Sequence, residues 1–452
     1  MRRFLILAFI CLLPATSADA APKRFLDIQT ITTPGGIQAW LVEDHSVPVI
    51  SLKFAFAGVG TALDPDDRQG LVQLLSNTMD EGAGDLDSQT FQKTLADNSI
   101  GLGFSASRDD FSGGLQCLTR YSGKAFDLLR LSLTAPRFDA EPVQRMKDAN
   151  ISRIRTSMSD PDWMAARLMN DTAFAGHVYA RNSGGTITGL QSVTPDDLRA
   201  FAATRLARDH LLVAVAGDIK KEDLIPALDR IFGKLPAASP ASSVPDLTVQ
   251  NAGSVTLMKK DLPQTIIQMA QTGISRTDPD WQTARVMNFI LGSSGFGSRL
   301  MEEVREKRGL TYGIYTGLST LDHVNTLTLQ TSTRNDKAKD VIDLIRAEWT
   351  RMKTTDVTGQ ELAEAKAYLI GSMPLSLTST DNISDMMLSL MLDGLPDTYL
   401  DTVGEKISAV TIADIRRVAE KLLTPDGIVT ILVGNPANIT PTRTVETLPN
   451  VE

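Results

Sequence analysis

Val193-Thr194-Pro195-Asp196-Asp197-Leu198-Arg199, followed by Leu212-Val213-Ala214-Val215-Ala216-Gly217-Asp218, returns later in the chain as Val410-Thr411-Ile412-Ala413-Asp414-Ile415-Arg416 with Val429-Thr430-Ile431-Leu432-Val433-Gly434-Asn435. The offset is constant, since 410 − 193 and 434 − 217 both give 217. Each copy reads as a threonine N-cap with an aspartate three residues on, opening a helix that leads into an apolar strand closed by glycine. Asp64-Pro65-Asp66 and Asp278-Pro279-Asp280, 214 residues apart, precede the first long helix of each copy. Shared patterning at nearly one offset implies two homologous halves.

Working outward, residues 50–56 alternate as a strand does, while 71–79, 284–291 and 341–352 show helical spacing. Strands and helices interleave without a regular βαβ rhythm, so the expected class is α+β, each half a mostly antiparallel sheet with helices on one face. An Ala/Ser/Pro stretch without periodicity marks a linker at 235–248, placing the halves at 21–234 and 249–452. Residues 1–20 read as an export signal: Arg2 and Arg3 precede an apolar run at 4–13, and Ala18-Asp19-Ala20 supplies a small-x-small cleavage pattern. The expectation is an exported protein, periplasmic or secreted if the source is bacterial, with no membrane span.

The 452 residues carry a formal charge of −9, or about −10 once Arg2, Arg3 and Asp19 are removed. That balance argues against nucleic acid or anionic lipid as a partner. Cys117 is the only thiol beyond the signal, so packing and not disulfides must hold the fold. Four histidines, at 45, 177, 210 and 323, form no local pair, and no nucleophile and base occur together in a recognisable constellation. Gly292, Gly295 and Gly297 lack the Lys-Ser or Lys-Thr that completes a phosphate loop.

The most informative chemistry lies in Ser298-Arg299-Leu300-Met301-Glu302-Glu303-Val304-Arg305-Glu306-Lys307-Arg308-Gly309-Leu310-Thr311-Tyr312. A helix is expected from Ser298, as N-cap, to near Gly309, with Tyr312 opening a strand. The Arg305 guanidinium in the last turn and the Tyr312 phenol beyond the bend then offer hydrogen-bond donors suited to peptide carbonyls. Together with Leu291-Gly292-Ser293-Ser294-Gly295-Phe296-Gly297, this run resembles the C-terminal half of the pitrilysin/insulinase-like metallopeptidases, the family with an inverted zinc motif.

That resemblance implies that Arg305 and Tyr312 are catalytic, and that they bind substrate together with Gly295 and Phe296. It also implies a His-x-x-Glu-His zinc helix in the N-terminal half. There the chain has Gly70-Leu71-Val72-Gln73-Leu74-Leu75-Ser76-Asn77-Thr78-Met79, so Gln73, Ser76 and Asn77 occupy the positions of the two histidines and the glutamate. No carboxylate lies at 150–154, where the third ligand belongs. The expectation is therefore no metal or other cofactor in this chain, with zinc in a homologous partner. In processing peptidases built this way, a zinc-less subunit faces a zinc-bearing one across the peptide substrate. The rival expectation is a catalytically inert structural or peptide-binding protein of the same fold, as among respiratory-complex core proteins.

Overall fold

The computed structural model describes residues 24–294 and 297–452. The expected export signal, and Gly295 and Phe296, lie outside the described residues. Both copies of the opening repeat form as their residues dictate. Thr194 and Thr411 each accept the N–H of the aspartate three residues on, and Asp197 and Asp414 return a carboxylate to the N-cap N–H. These complete boxes start the helices Pro195–Arg205 and Ile412–Leu422. The strands that follow end at Gly217 (φ 131°) and Gly434 (φ 150°). A Cβ at Gly217 would lie 2.1 Å from the Val49 carbonyl oxygen, so the glycine permits both the conformation and the close approach.

The N-terminal half builds a sheet from β1 (Gln29–Thr32), β2 (Gln38–Glu43), β3 (Val49–Phe56), β4 (Gly101–Ala106), β5 (Phe111–Leu118) and β6 (Leu211–Gly217), in the order β1-β2-β6-β3-β5-β4. The C-terminal half repeats it with β7 (Val255–Lys259), β8 (Gln264–Thr272), β9 (Ile314–Leu321), β10 (Val324–Arg334), β11 (Val429–Gly434) and β12 (Arg443–Val445), in the order β12-β7-β11-β8-β10-β9. Pairing is antiparallel except where β2 meets β6, β7 meets β11 and β12 meets β7. Register is conserved between the halves: Gly103 faces Gly114 and Ser105 faces Ser112 in the first, while Tyr315 faces Gln330 and Gly317 faces Thr328 at the equivalent positions of the second.

Each half's own helices lie against one face of its sheet, in the arrangement anticipated above. In the N-terminal half Leu52, Phe54, Val213 and Val215 bury against Leu74, Leu75, Leu129 and Phe232. The opposite face is not left to solvent. It receives one helix from the other half. Thr380–Leu392 lays Ile383, Met387 and Leu388 on Ala55, Ala214 and Ala216 of the N-terminal sheet. Pro161–Ala173 lays Met164, Leu168 and Met169 on Ala270, Val429, Ile431 and Val433 of the C-terminal sheet. The cause is legible in the central strands, which are apolar on both faces and must be covered twice. Alanines at 55, 214 and 216 let the exchanged helix approach closely.

Residues 236–254 contain no helix or strand. Near the middle of this stretch His177 Nε2 lies 2.9 Å from the Pro245 carbonyl oxygen, and His323 Nδ1 lies 3.1 Å from Asp246 Oδ1. Both rings pack against the fully buried Tyr179. His177 is thus a fold residue. Among the described residues no helix is long and apolar enough to cross a membrane.

Candidate functional site

The segment carrying Arg305 begins as its sequence requires. Ser298 is fully buried, and its Oγ accepts the Met301 N–H at 3.3 Å. Arg299, 4% exposed, reaches Glu361 through Nε (2.6 Å) and Nη2 (2.9 Å), fixing the start of this helix to the helix Gly359–Gly371. Burial by itself would raise the Glu361 pKa, but the Arg299 hydrogen bond and charge and the Thr358 N–H outweigh it and hold the carboxyl at about 2. The following turns, Met301–Glu306, are π-helical, a geometry common at functional sites. Met301 and Val304 fill the core beneath.

The helix ends where the glycine was expected to end it. Gly309 adopts φ 60°, its N–H donates to the Arg305 carbonyl at 2.7 Å, and the Leu310 N–H reaches the Val304 carbonyl at 3.0 Å. The strand, however, opens at Ile314 and not at Tyr312. Thr311 explains the delay. Its Oγ1 accepts the Gly313 N–H at 3.1 Å and lies 2.8 Å from the Ser332 carbonyl, tying a tight turn to β10 before pairing starts.

Tyr312 therefore sits on a pinned backbone with its side chain outward, the residue being 87% exposed. The Arg305 Cζ lies 5.1 Å from the centroid of its ring, a cation–π contact, and Arg305 Nε is 3.4 Å from Glu306 Oε1. Nearby, Glu303 is engaged by Lys307 (2.6 Å) and Arg308 (2.7 Å), which keep its carboxyl below the ordinary range. Among the described residues the Tyr312 hydroxyl has no hydrogen-bond partner.

Tyr315, two residues into the strand and half-exposed, was not anticipated. Its ring folds over Gly313, where an added Cβ would lie 2.8 Å from Cε2. It borders a trough of about 430 Å³ formed by Gln268, Gly317, Thr328 and Gln330 with Met169 and Asn170 of the exchanged helix. The N-terminal half has the counterpart, about 520 Å³, over Gly101, Gly103, Ser112 and Gly114, bounded by Lys53 and by Asp381, Asp385 and Leu388 of the other exchanged helix. The exposed tyrosine at an alternating strand position was the available signal for Tyr315. Nothing local could have placed a helix from the opposite half beside it.

Gln73, Ser76 and Asn77 come together on one side of the helix Leu71–Ser76 and its C-cap. Gln73 Nε2 donates to Ser76 Oγ and to Asn77 Oδ1, each at 3.3 Å, while Ser76 Oγ donates to the Gln73 carbonyl at 2.8 Å. The buried Asn150 stands on Ala140–Ser157, which packs against this helix. Two primary amides, a hydroxyl and a third amide do not fit zinc, which favours imidazole, thiolate and carboxylate. Among the described residues no group of three or more His, Cys, Asp or Glu side chains is placed to hold a metal ion.

A family model described as the peptidase M16 inactive domain matches residues 192–369. The chain is similar to a non-peptidase homolog YmxG of Helicobacter pylori, 27% identical over 377 residues covering 82% of this chain and 86% of that one. It is also similar to a probable mitochondrial-processing peptidase subunit beta of Schizosaccharomyces pombe, 23% identical over 436 residues and 93% of each chain. The solved structure of a peptidase M16 inactive domain from Pseudomonas fluorescens superposes with a TM-score of 0.85 at 26% identity, covering 92% of this chain and all of that one. The inactive-domain match at 192–369, and a fold shared with that solved structure across two repeated six-stranded halves, make this chain similar to inactive members of the pitrilysin-like M16 family, with Gln73, Ser76 and Asn77 where the resemblance expects zinc ligands.

Proposed function

We propose that this chain is the non-catalytic subunit of a heteromeric zinc metallopeptidase, exported from the cell, and that it lends Arg305 and Tyr312 to the zinc site of a homologous partner. The observation that carries this reading is the asymmetry of the two halves. A rigidly mounted, outward-facing Tyr312 lies beside Arg305 in one, and amides and a hydroxyl bonded to each other replace the metal ligands in the other. The similarity to a relative named as a processing-peptidase subunit supports pairing with a second chain.

In such a complex zinc would supply the activated water from the partner's wall. Tyr312 would donate its phenolic proton as a hydrogen bond to the oxygen that becomes negative during attack on the peptide carbonyl. Arg305 would hold neighbouring carbonyls of the substrate and keep the Tyr312 ring in place. An oxyanion donor of this kind contributes roughly 3 kcal/mol to barrier lowering. The trough beside Tyr315 gives the rest of an extended peptide a surface to lie on.

The test is reconstitution with a His-x-x-Glu-His homologue. Alone, the chain should cleave no peptide; the pair should cleave, with sensitivity to chelators. Tyr312→Phe should lower kcat of the pair roughly tenfold to a thousandfold without loss of assembly, whereas Arg305→Ala should also raise KM. Full activity of both variants in an intact complex would replace this reading with that of an inert structural or peptide-binding protein.

A further inference from the structure

The two troughs are equivalent in backbone and different in charge. On the C-terminal sheet the lining is neutral: amides, threonines and Tyr315, with apolar side chains such as Met169. On the N-terminal sheet, Gly103 occupies the register position of Tyr315 and Gly114 that of Gln330, so the floor lacks the side chains that fill its counterpart. An added Cβ at Gly103 would meet nothing within 4 Å. The Lys53 stem lies across Gly114, 3.1 Å from where a Cβ would be, and its ammonium reaches Asp381 (2.9 Å) and Asp385 (3.2 Å) one helical turn apart.

These three charges do not balance. Asp381 is satisfied, since it takes the Ser51 hydroxyl at 2.9 Å as well as Lys53. Asp385 shares the same single cation, its side chain is 56% exposed, and it lines the trough. One carboxylate in excess therefore overlooks a floor of glycines with room for a long side chain. We infer that the N-terminal trough is a side-chain subsite for lysine or arginine of a bound peptide, with Asp385 as the carboxylate that receives it. This rests on the reading of the protein as a peptide binder, but concerns a different wall from the one bearing Arg305 and Tyr312.

Fluorescence anisotropy with the full chain and three labelled twelve-residue peptides of Ser, Thr, Gly and Ala, differing only in a central Arg, Gln or Glu, tests it. The Arg peptide should bind about three- to tenfold more tightly than the Gln peptide, and the Glu peptide more weakly than either, with the spread shrinking in high salt. Asp385→Asn should bring the Arg and Gln peptides within about twofold, and Asp385→Lys should favour the Glu peptide. The exposure of Asp385 lets both variants fold, which their melting temperatures would verify. Binding indifferent to charge, or an Arg preference that survives Asp385→Asn, overturns the subsite alone. Failure of all three peptides to bind overturns the peptide-binding reading and the subsite with it.

Discussion

Leu168→Ala is the most direct probe of how the halves depend on each other. Leu168 belongs to the N-terminal half by sequence, yet it is fully buried among Ala270, Val429, Ile431 and Val433 of the C-terminal sheet. Removing a fully buried leucine side chain from a site walled by a rigid sheet costs about 3 kcal/mol, the transfer term plus a cavity the sheet cannot collapse to fill. If the exchanged helices weld the halves into one cooperative unit of about 430 residues, the unfolding entropy is large and the Tm falls only about 3 °C; a separately melting half of about 215 residues would fall about 7 °C. Calorimetry distinguishes these. Hydrogen exchange locates the effect, because amides of β8 and β11 that exchange through global opening should lose roughly 150-fold of protection, the equivalent of 3 kcal/mol. Should those C-terminal amides keep wild-type protection while only N-terminal amides lose it, the mutual dependence argued from the exchanged helices is wrong.

Glu361→Gln should destabilise the protein by about 3–5 kcal/mol, since it strands the buried Arg299 guanidinium, and should loosen the helix leading to Arg305; denaturant melts and trypsin sensitivity at 299–308 would report both. Because the Glu361 pKa is held at about 2, that contribution is complete above its unfolded value and fades as pH falls toward 2. Asp64, Asp110 and Asp80 behave oppositely. Burial raises Asp64 to about 7 and Asp80 to about 6, and burial with the neighbouring Asp322 charge raises Asp110 to about 7. The folded state then holds more protons than the unfolded one between pH 4 and 7, so stability should decline across that window and level off above it. Asp110→Asn should flatten the decline and raise the Tm at pH 8; an unchanged pH profile would count against the burial argument. Elemental analysis of the purified chain should show no stoichiometric zinc, and a chelator should leave its Tm unchanged; one tightly held zinc per chain would contradict the incompatibility of Gln73, Ser76 and Asn77 with the metal.

Much of this architecture is written in local sequence, and for a physical reason. A threonine followed three residues later by aspartate satisfies the orphan N–H groups of a helix start by itself, so both capping boxes, their common offset and the two-half fold follow without tertiary information. Gly309 likewise stops its helix through a backbone conformation that needs no distant partner. The replacement of zinc ligands at 73, 76 and 77 is a matter of residue chemistry, readable from the letters alone. Tyr312 marks where this locality ends: Thr311 anchors to Ser332 on the neighbouring strand, and that contact delays the strand and turns the phenol outward. The second covering of each sheet was beyond sequence patterning for the same reason. An apolar strand states that both faces must be buried, but not by which helix. Only the folded chain, bringing Leu168 to Ile431 and Met387 to Ala214, decides that each half is finished by the other.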